Sequence, residues 1–393
     1  MSPLRIRQDD PPILEEWYRR HLTDCRFDIS SSGVHPYTFA ETRELCALRV
    51  EDLDGVLMDD SVSEGGAGIR QAIADRYCAG DADRVLVTHG SSEAIALTLD
   101  ALLHPGDRVV VQESIYHSLG YFPRERGCRV VPLPAGRVRD GEIDPEALAG
   151  LVTPGTAAVI VNFPHNPSGT TLSPRGLDAL LDRVEAVGAV LVWDGATAEI
   201  AHRWEPLPDP ATRYERTVTY GTFSKTFGLP GLRVGWAITP PELLRATFPL
   251  RDRTTLFLSP LVELVAEHAM RHADRFIGRR AAETRRNLGH LTEWAARHRE
   301  LVDWSPPEGG VCCLLGIREL AGAPDGTAVE EFCRDLLAEH KTLLVPGSAF
   351  DAPQAVRLGF GGPEADFRAG LDHLSRFLEE RSSRAGRAAA QGA

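Results

Sequence analysis

Seven short Val/Ile-rich runs, each ending near a polar or small residue and followed by a helical pattern, constrain this chain most. They are Arg84–Val87, Arg108–Val111, Arg129–Leu133, Ala157–Asn162, Ala189–Trp193, Thr217–Tyr220 and Val234–Ile238. Several are almost wholly apolar, as strands covered on both faces must be. Strand and helix alternating over this length predict an α/β three-layer domain with a mostly parallel sheet. Ligands of such sheets collect beyond the carboxyl ends of the strands. The chemically loaded residues fall there: Gly90-Ser91-Ser92, Asn166, Asp194 and Lys225 each follow one of the runs.

A chain of 393 residues exceeds one small core and is expected to divide. Residues 1–50 read as an N-terminal arm and substrate loop, with an amphipathic Ile13–Tyr18 helix, packing on a small domain. Residues 51–285 form the large domain, 286–383 the small α+β C-terminal domain, and 384–393 a disordered Ala/Gly/Arg-biased tail. Pro260–Glu300 has few breakers and reads as one or two long helices leaving the large domain. Gly309–Leu315, Thr342–Val345 and Ala355–Phe360 are the expected strands of the small domain.

The formal charge of −13 disfavours nucleic acid or an anionic membrane as partner. Seven cysteines, an odd number without CxxC pairs or His-rich metal spacing, read as reduced thiols of a cytoplasmic protein with no metal site. The N-terminus has no apolar h-region, so no signal peptide is expected. No run reaches the ~18 apolar residues of a membrane span.

Lys225 lies at a strand end in Thr222-Phe223-Ser224-Lys225-Thr226-Phe227-Gly228, and Arg233 follows eight residues later. An amine able to form a Schiff base and a guanidinium able to hold a phosphate are the cationic anchors of pyridoxal phosphate. A surface lysine in a Gly-rich loop is the plainer reading of Ser-Lys alone. Gly90-Ser91-Ser92 open a helix, where free N–H groups and the dipole favour an anion, or where serine simply caps. Asp194 closes an apolar strand and needs a cationic partner, either a protonated pyridine nitrogen or a structural base. Asn166, in the turn Asn162–Gly169, can donate to a ring phenolate. Tyr116 can lie on a cofactor ring or merely pack. Arg357 is a charge inside the apolar pattern Ala355–Phe360, and a substrate carboxylate suits its fork.

With these residues in this order, the chain resembles the fold-type-I pyridoxal-phosphate enzymes of the aspartate aminotransferase class (class I/II), from about residue 27 to 380. The resemblance implies that Lys225 attaches the cofactor and shuttles protons, Asp194 pairs with the pyridinium and Asn166 bonds the ring oxygen. It assigns the phosphate to Gly90, Ser91, Ser92, Thr222, Ser224 and Arg233, ring stacking to Tyr116, and the substrate carboxylate to Arg357. It also implies a homodimer with active sites at the interface.

Two departures weaken transamination as the default. Members of the class usually carry a Tyr three residues after the strand-end Asp, where this chain has Thr197. The Tyr that reaches a partner's phosphate belongs near Met58–Ser61, and none is there. The segments Asp28–Phe39, Thr88–Ala94, Tyr116–Leu119, Val161–Gly169, Trp193–Ala196 and Gly228–Trp236 look like those of the capreomycidine synthases. Those enzymes cyclise a β-hydroxylated arginine in viomycin-type and streptothricin-type antibiotic pathways. This resemblance implies a pyridoxal-phosphate-dependent carbon–oxygen lyase acting on 3-hydroxy-arginine or 3,4-dihydroxy-arginine, with Gly33, Asp28, His35 and His117 near the substrate. An amino-acid aminotransferase is the alternative. A cofactor-sensing regulator of the same fold is the remote one, because too few residues precede the Asp28–Phe39 loop for a DNA-binding domain.

Overall fold

The computed structural model describes residues 11–322 and 325–391. In chain order, β1 (Phe27–Asp28) lies in the N-terminal arm, followed by β2 (Val85–Thr88), β3 (Arg108–Gln112) and β4 (Arg129–Leu133). A small hairpin, β5 (Val138–Arg139) and β6 (Glu142–Ile143), precedes β7 (Thr156–Asn162), β8 (Val190–Asp194), β9 (Thr217–Thr222) and β10 (Gly235–Ile238). All but β1 and the hairpin form one sheet in the order β2-β10-β9-β8-β7-β3-β4. Each of the expected runs is one of these strands, with ends shifted by a residue or two.

Only β10 is antiparallel to its neighbours in this sheet. The reason is its connection: residues 223–234 return without the long helix that a parallel crossover needs. Period-two alternation splits the apolar strands between two cores. Val109, Val111, Ala158, Ile160 and Val192 pack with Ile95 and Leu99 of helix Ser91–Leu102. Val110, Val159, Val161, Leu191 and Trp193 face the other way, onto Leu177, Leu180 and Val184 of helix Pro174–Val187.

The small domain holds β11 (Val302–Asp303), β12 (Cys312–Ile317), β13 (Thr342–Leu343), β14 (Val345–Pro346) and β15 (Ala355–Gly359). Its antiparallel sheet runs β11-β12-β15-β14, while β13 pairs in parallel with β1. The run Thr342–Val345 is therefore not the single strand expected. It serves two sheets, and between them the Leu344 carbonyl accepts from Trp17 Nε1 at 2.9 Å. Helix α1 (Ile13–His21) outruns its expected end at Tyr18, and its Leu14 and Trp17 share the small-domain core with Phe332, Phe360 and Phe377. Ile29 of the arm is clasped on both sides: its N–H reaches Leu343 O at 3.3 Å, and its carbonyl accepts Gly359 N–H at 2.9 Å. A Cβ at Gly359 would fall 1.9 Å from Ser31 O, so only glycine lets arm and strand meet.

The helical stretch after residue 260 is two helices, Pro260–Arg271 and Ala273–Arg297. The second has 25 residues, about 37 Å at 1.5 Å per residue. Its Phe276 and Ile277 belong to a large-domain core and its Leu291 and Trp294 to the small-domain core. The expected domain limit at 285/286 thus falls inside one continuous helix. The last helix, Glu364–Gln391, continues into the stretch 384–393 expected to be a disordered tail, whose last two positions lie outside the described residues. Ala and Arg, which dominate that stretch, are strong helix formers.

Candidate active site

Strands β7, β8 and β9 end at Asn162, Asp194 and Thr222, and these three residues line a cavity of ≈ 570 Å³. Residues of α1, the arm segment 31–34, the turn at Gly310–Cys312 and Arg357 line its remaining sides. One flank is an anion cup. Ser91 and Ser92 open their helix after Gly90, whose φ of 76° and ψ of 166° suit glycine. A Cβ there would stand 2.8 Å from Arg233 Nη2, so the missing side chain makes room for the guanidinium. Arg233 itself adopts a left-handed backbone, φ 54°, at a cost of about 1–2 kcal/mol. Its Nη1 donates to Ser224 Oγ at 3.2 Å and Pro230 O at 3.1 Å, and Thr222 Oγ1 accepts Ser224 N–H at 3.1 Å. Serine hydroxyls, helix-start N–H groups and a guanidinium together fit a phosphate.

Lys225 Nζ lies 3.0 Å from Ser32 Oγ. Burial, and then the charge of Arg357, lower its pKa, which favours the neutral, nucleophilic amine. Asp194 is buried, and burial pushes its carboxyl up to about 6, against the pull of the Ala196 N–H and of Lys225. Its hydrogen bond from Ala196 N–H (3.0 Å) leaves acceptor capacity that a pyridinium N–H fits. Asn166 Oδ1 accepts from Arg357 Nη1 at 3.1 Å and from Cys312 Sγ at 3.6 Å, which leaves its NH₂ to donate to a ring oxygen. Asn162 holds both neighbours: its Oδ1 accepts Asn166 N–H (2.8 Å) and its Nδ2 donates to Asp194 O (2.9 Å). Tyr116 lines the cavity, and burial raises its pKa. The buried carboxylate short of a cation, the anion cup and the desolvated amine are the three contacts that pyridoxal phosphate requires.

Arg357 is 1% exposed, and its fork is already aimed. Nε donates to Ser30 O at 3.1 Å and Nη2 to Tyr18 Oη at 2.7 Å. Among the residues expected near the substrate, Gly33 and Asp28 line the cavity. Asp28 is engaged, its Oδ1 accepting from Ser30 N–H at 2.8 Å and Ser30 Oγ at 2.6 Å. His35 and His117 are not among the residues that line it. Val34 and Pro36 line the cavity while the intervening His35 does not, and burial, then the charge of Arg280, lowers its pKa. His117 lies behind Tyr116, ring centroids 4.3 Å apart, with Nδ1 buried and unpartnered among the described residues. Thr197, where the class carries tyrosine, also lines the cavity. Sequence reasoning missed Glu15, Tyr18, Ser32 and Cys312 on the cavity wall. Glu15 and Tyr18 are three residues apart in an amphipathic helix and so share a face, but the adjacent Glu16 gives the sequence no way to single out Glu15.

A family model described as aminotransferase class I and II matches residues 63–374. The chain is 41% identical over 367 residues to the capreomycidine synthase of Streptomyces vinaceus, covering 93% of both. It is 31% identical over 318 residues to the arginine–pyruvate transaminase of Pseudomonas aeruginosa, covering 75% of this chain and 76% of that one. Among solved structures it superposes on the PLP-dependent cyclase OrfR with a TM-score of 0.95 at 72% identity, over 97% of this chain and 100% of that one. A PLP-dependent aminotransferase from Streptococcus suis superposes with a TM-score of 0.87 at 26% identity, over 94% and 98%.

Proposed function

The chain belongs to the aminotransferase class I and II family, and we propose that its site cyclises a β-hydroxylated arginine rather than transaminating it. The observation that carries this reading is the likeness, over nearly the full length of both chains, to a PLP-dependent cyclase at 72% identity. The protein is a pyridoxal-phosphate enzyme. When bound, the cofactor supplies an electron sink for a carbanion at the substrate Cα.

The side chains divide the work. Arg357 takes the substrate carboxylate in its fork, and Asp194 keeps the ring nitrogen protonated. Lys225 takes the Cα proton and later returns it. The cavity holds the guanidine close to Cβ, so the bond from a guanidine nitrogen to Cβ forms within one bound molecule. The Cβ hydroxyl leaves first, as water, taking up one proton; the guanidine nitrogen then bonds to the freed Cβ and gives one proton up, so the product is a six-membered ring lighter than the substrate by that water.

Incubation with 3-hydroxy-arginine and its 4-hydroxylated relative in deuterated water tests the reading. A cyclic product carrying deuterium at Cα is expected. An oxo acid with accumulated pyridoxamine phosphate would make the enzyme an aminotransferase.

A homodimer is part of the same proposal: Leu57, Met58, Val62 and Leu256 leave large apolar side chains exposed. All seven cysteines are free, which fits a reducing cytoplasm. Among the described residues, no helix is long and apolar enough to cross a membrane.

A further inference from the structure

Among the described residues, the charged side chains on the cavity wall are three bases, Lys225, Arg233 and Arg357, and three acids, Glu15, Asp28 and Asp194. A bound cofactor and an arginine-type substrate bring two anionic groups, the phosphate and the carboxylate, which Arg233 and Arg357 match. They also bring two cationic groups, the ring nitrogen and the guanidinium. Asp194, buried at the end of β8, takes the first. Asp28 is committed to Ser30 N–H and Oγ. Glu15 is half-buried, and among the described residues no donor bonds its carboxylate.

We propose that Glu15 is the carboxylate that holds the substrate's guanidinium and selects a cationic over a neutral side chain. The identity of the substrate rests on the cyclase reading above. Glu15 stands on a helix that is fixed in place: Trp17 Nε1 donates to Leu344 O at 2.9 Å, and Tyr18 Oη accepts from Arg357 Nη2 at 2.7 Å. Positions 15 and 18 share a helix face, about 4.5 Å apart along the axis. A substrate whose carboxylate sits on Arg357, beside Tyr18, therefore runs its side chain along α1 toward Glu15. The Glu15 charge acts on the Lys225 amine and the Tyr116 hydroxyl, two groups that line the same cavity. Carboxylate and guanidinium pair through two parallel hydrogen bonds, which fixes orientation as well as charge.

Arginine and citrulline are the probes, because they are near-isosteric, differ in charge and lack the hydroxyl that would leave. Their binding to the holoenzyme is read from the visible spectrum of the cofactor. The native enzyme is expected to prefer arginine. Glu15→Gln should lose arginine affinity by about tenfold or more while citrulline affinity stays within about twofold. The retained citrulline binding shows that the variant is folded, and Glu15→Asp should recover part of the preference. An unchanged arginine-to-citrulline ratio in Glu15→Gln overturns the proposal. So does a ratio that collapses in Asp28→Asn but not in Glu15→Gln. The cyclase reading fails separately, on an oxo-acid product from hydroxy-arginine, whatever the binding ratio shows.

Discussion

Arg357 Nη1 donates to Asn166 Oδ1 at 3.1 Å, joining the guanidinium proposed to take the substrate carboxylate to the amide proposed to meet the ring oxygen. The same guanidinium bonds Tyr18 and Ser30 of the arm. Arg357→Lys keeps one charge and loses the fork. We expect kcat/KM to fall about 10²-fold, mainly through KM, with the cofactor spectrum of the resting enzyme retained. Tyr18→Phe removes one oxygen from this cluster and should raise KM about five- to tenfold with little change in kcat. Steady-state kinetics of the two variants check both.

Lys225→Ala removes the amine at the end of β9. Borohydride reduction of the native holoenzyme should label a peptide containing Lys225, and the variant should take no label. Turnover should fall by about 10³-fold or more, since Lys225 is the proposed carrier of the Cα proton. Normal turnover in this variant would remove Lys225 from the mechanism.

Asp194 sets stability against function. Burial holds its pKa at about 6, above the ordinary 3.8 of an aspartate, so the ionised form is disfavoured in the folded apoprotein. The penalty is complete above pH ~6 and is relieved as pH falls toward ~4, the ordinary range of an aspartate. Two pKa units correspond to about 3 kcal/mol. Asp194→Asn should therefore make the apoprotein more stable at pH 8, by up to about 3 kcal/mol, while weakening cofactor binding and abolishing turnover. Urea melts at pH 8 and at pH 5 check the sign, because the gain should shrink at the lower pH.

His165 behaves in the opposite sense. Burial lowers its pKa from 6.5 to about 4, while its ring meets Ser168 Oγ at 2.8 Å and Glu113 O at 3.2 Å. The unfolded chain takes a proton first, so the stability tied to the neutral ring is full above pH ~6.5 and is lost as pH falls toward 4. The loss is on the order of 3 kcal/mol. His165→Gln should flatten the acid limb of a stability–pH profile between those limits. An acid limb of unchanged slope would assign it to other groups.

The residues proposed as cofactor anchors stand out in the sequence because each is local punctuation. Asp194, Lys225 and the Gly90–Ser92 turn follow strands that period and composition reveal, and a parallel sheet gathers such strand ends at one edge. The substrate wall was not legible, because long-range packing builds it. Tyr18 meets Arg357 across 339 positions of sequence. Glu15 reaches the cavity only because α1 docks on a strand connection near residue 344. His35 and His117 sit in segments that do contribute to the wall, yet neither lines it, and the ring of His117 packs against that of Tyr116. The short pairs β1, β5, β6 and β11 have two residues each, too few to show a period.

The clasp of Ile29 between Leu343 and Gly359 has a consequence for synthesis on the ribosome. The arm is made first and finds its place last, since Trp17 and Leu344 are 327 positions apart. Loop closure over such a span comes late, and an unfinished chain already carries Lys225 and Asp194 but neither Arg357 nor the seat for Tyr18. Until the segments around Leu344 and Gly359 have been made, the arm has nothing to dock on, and the cavity wall that α1 and Arg357 form together cannot be built.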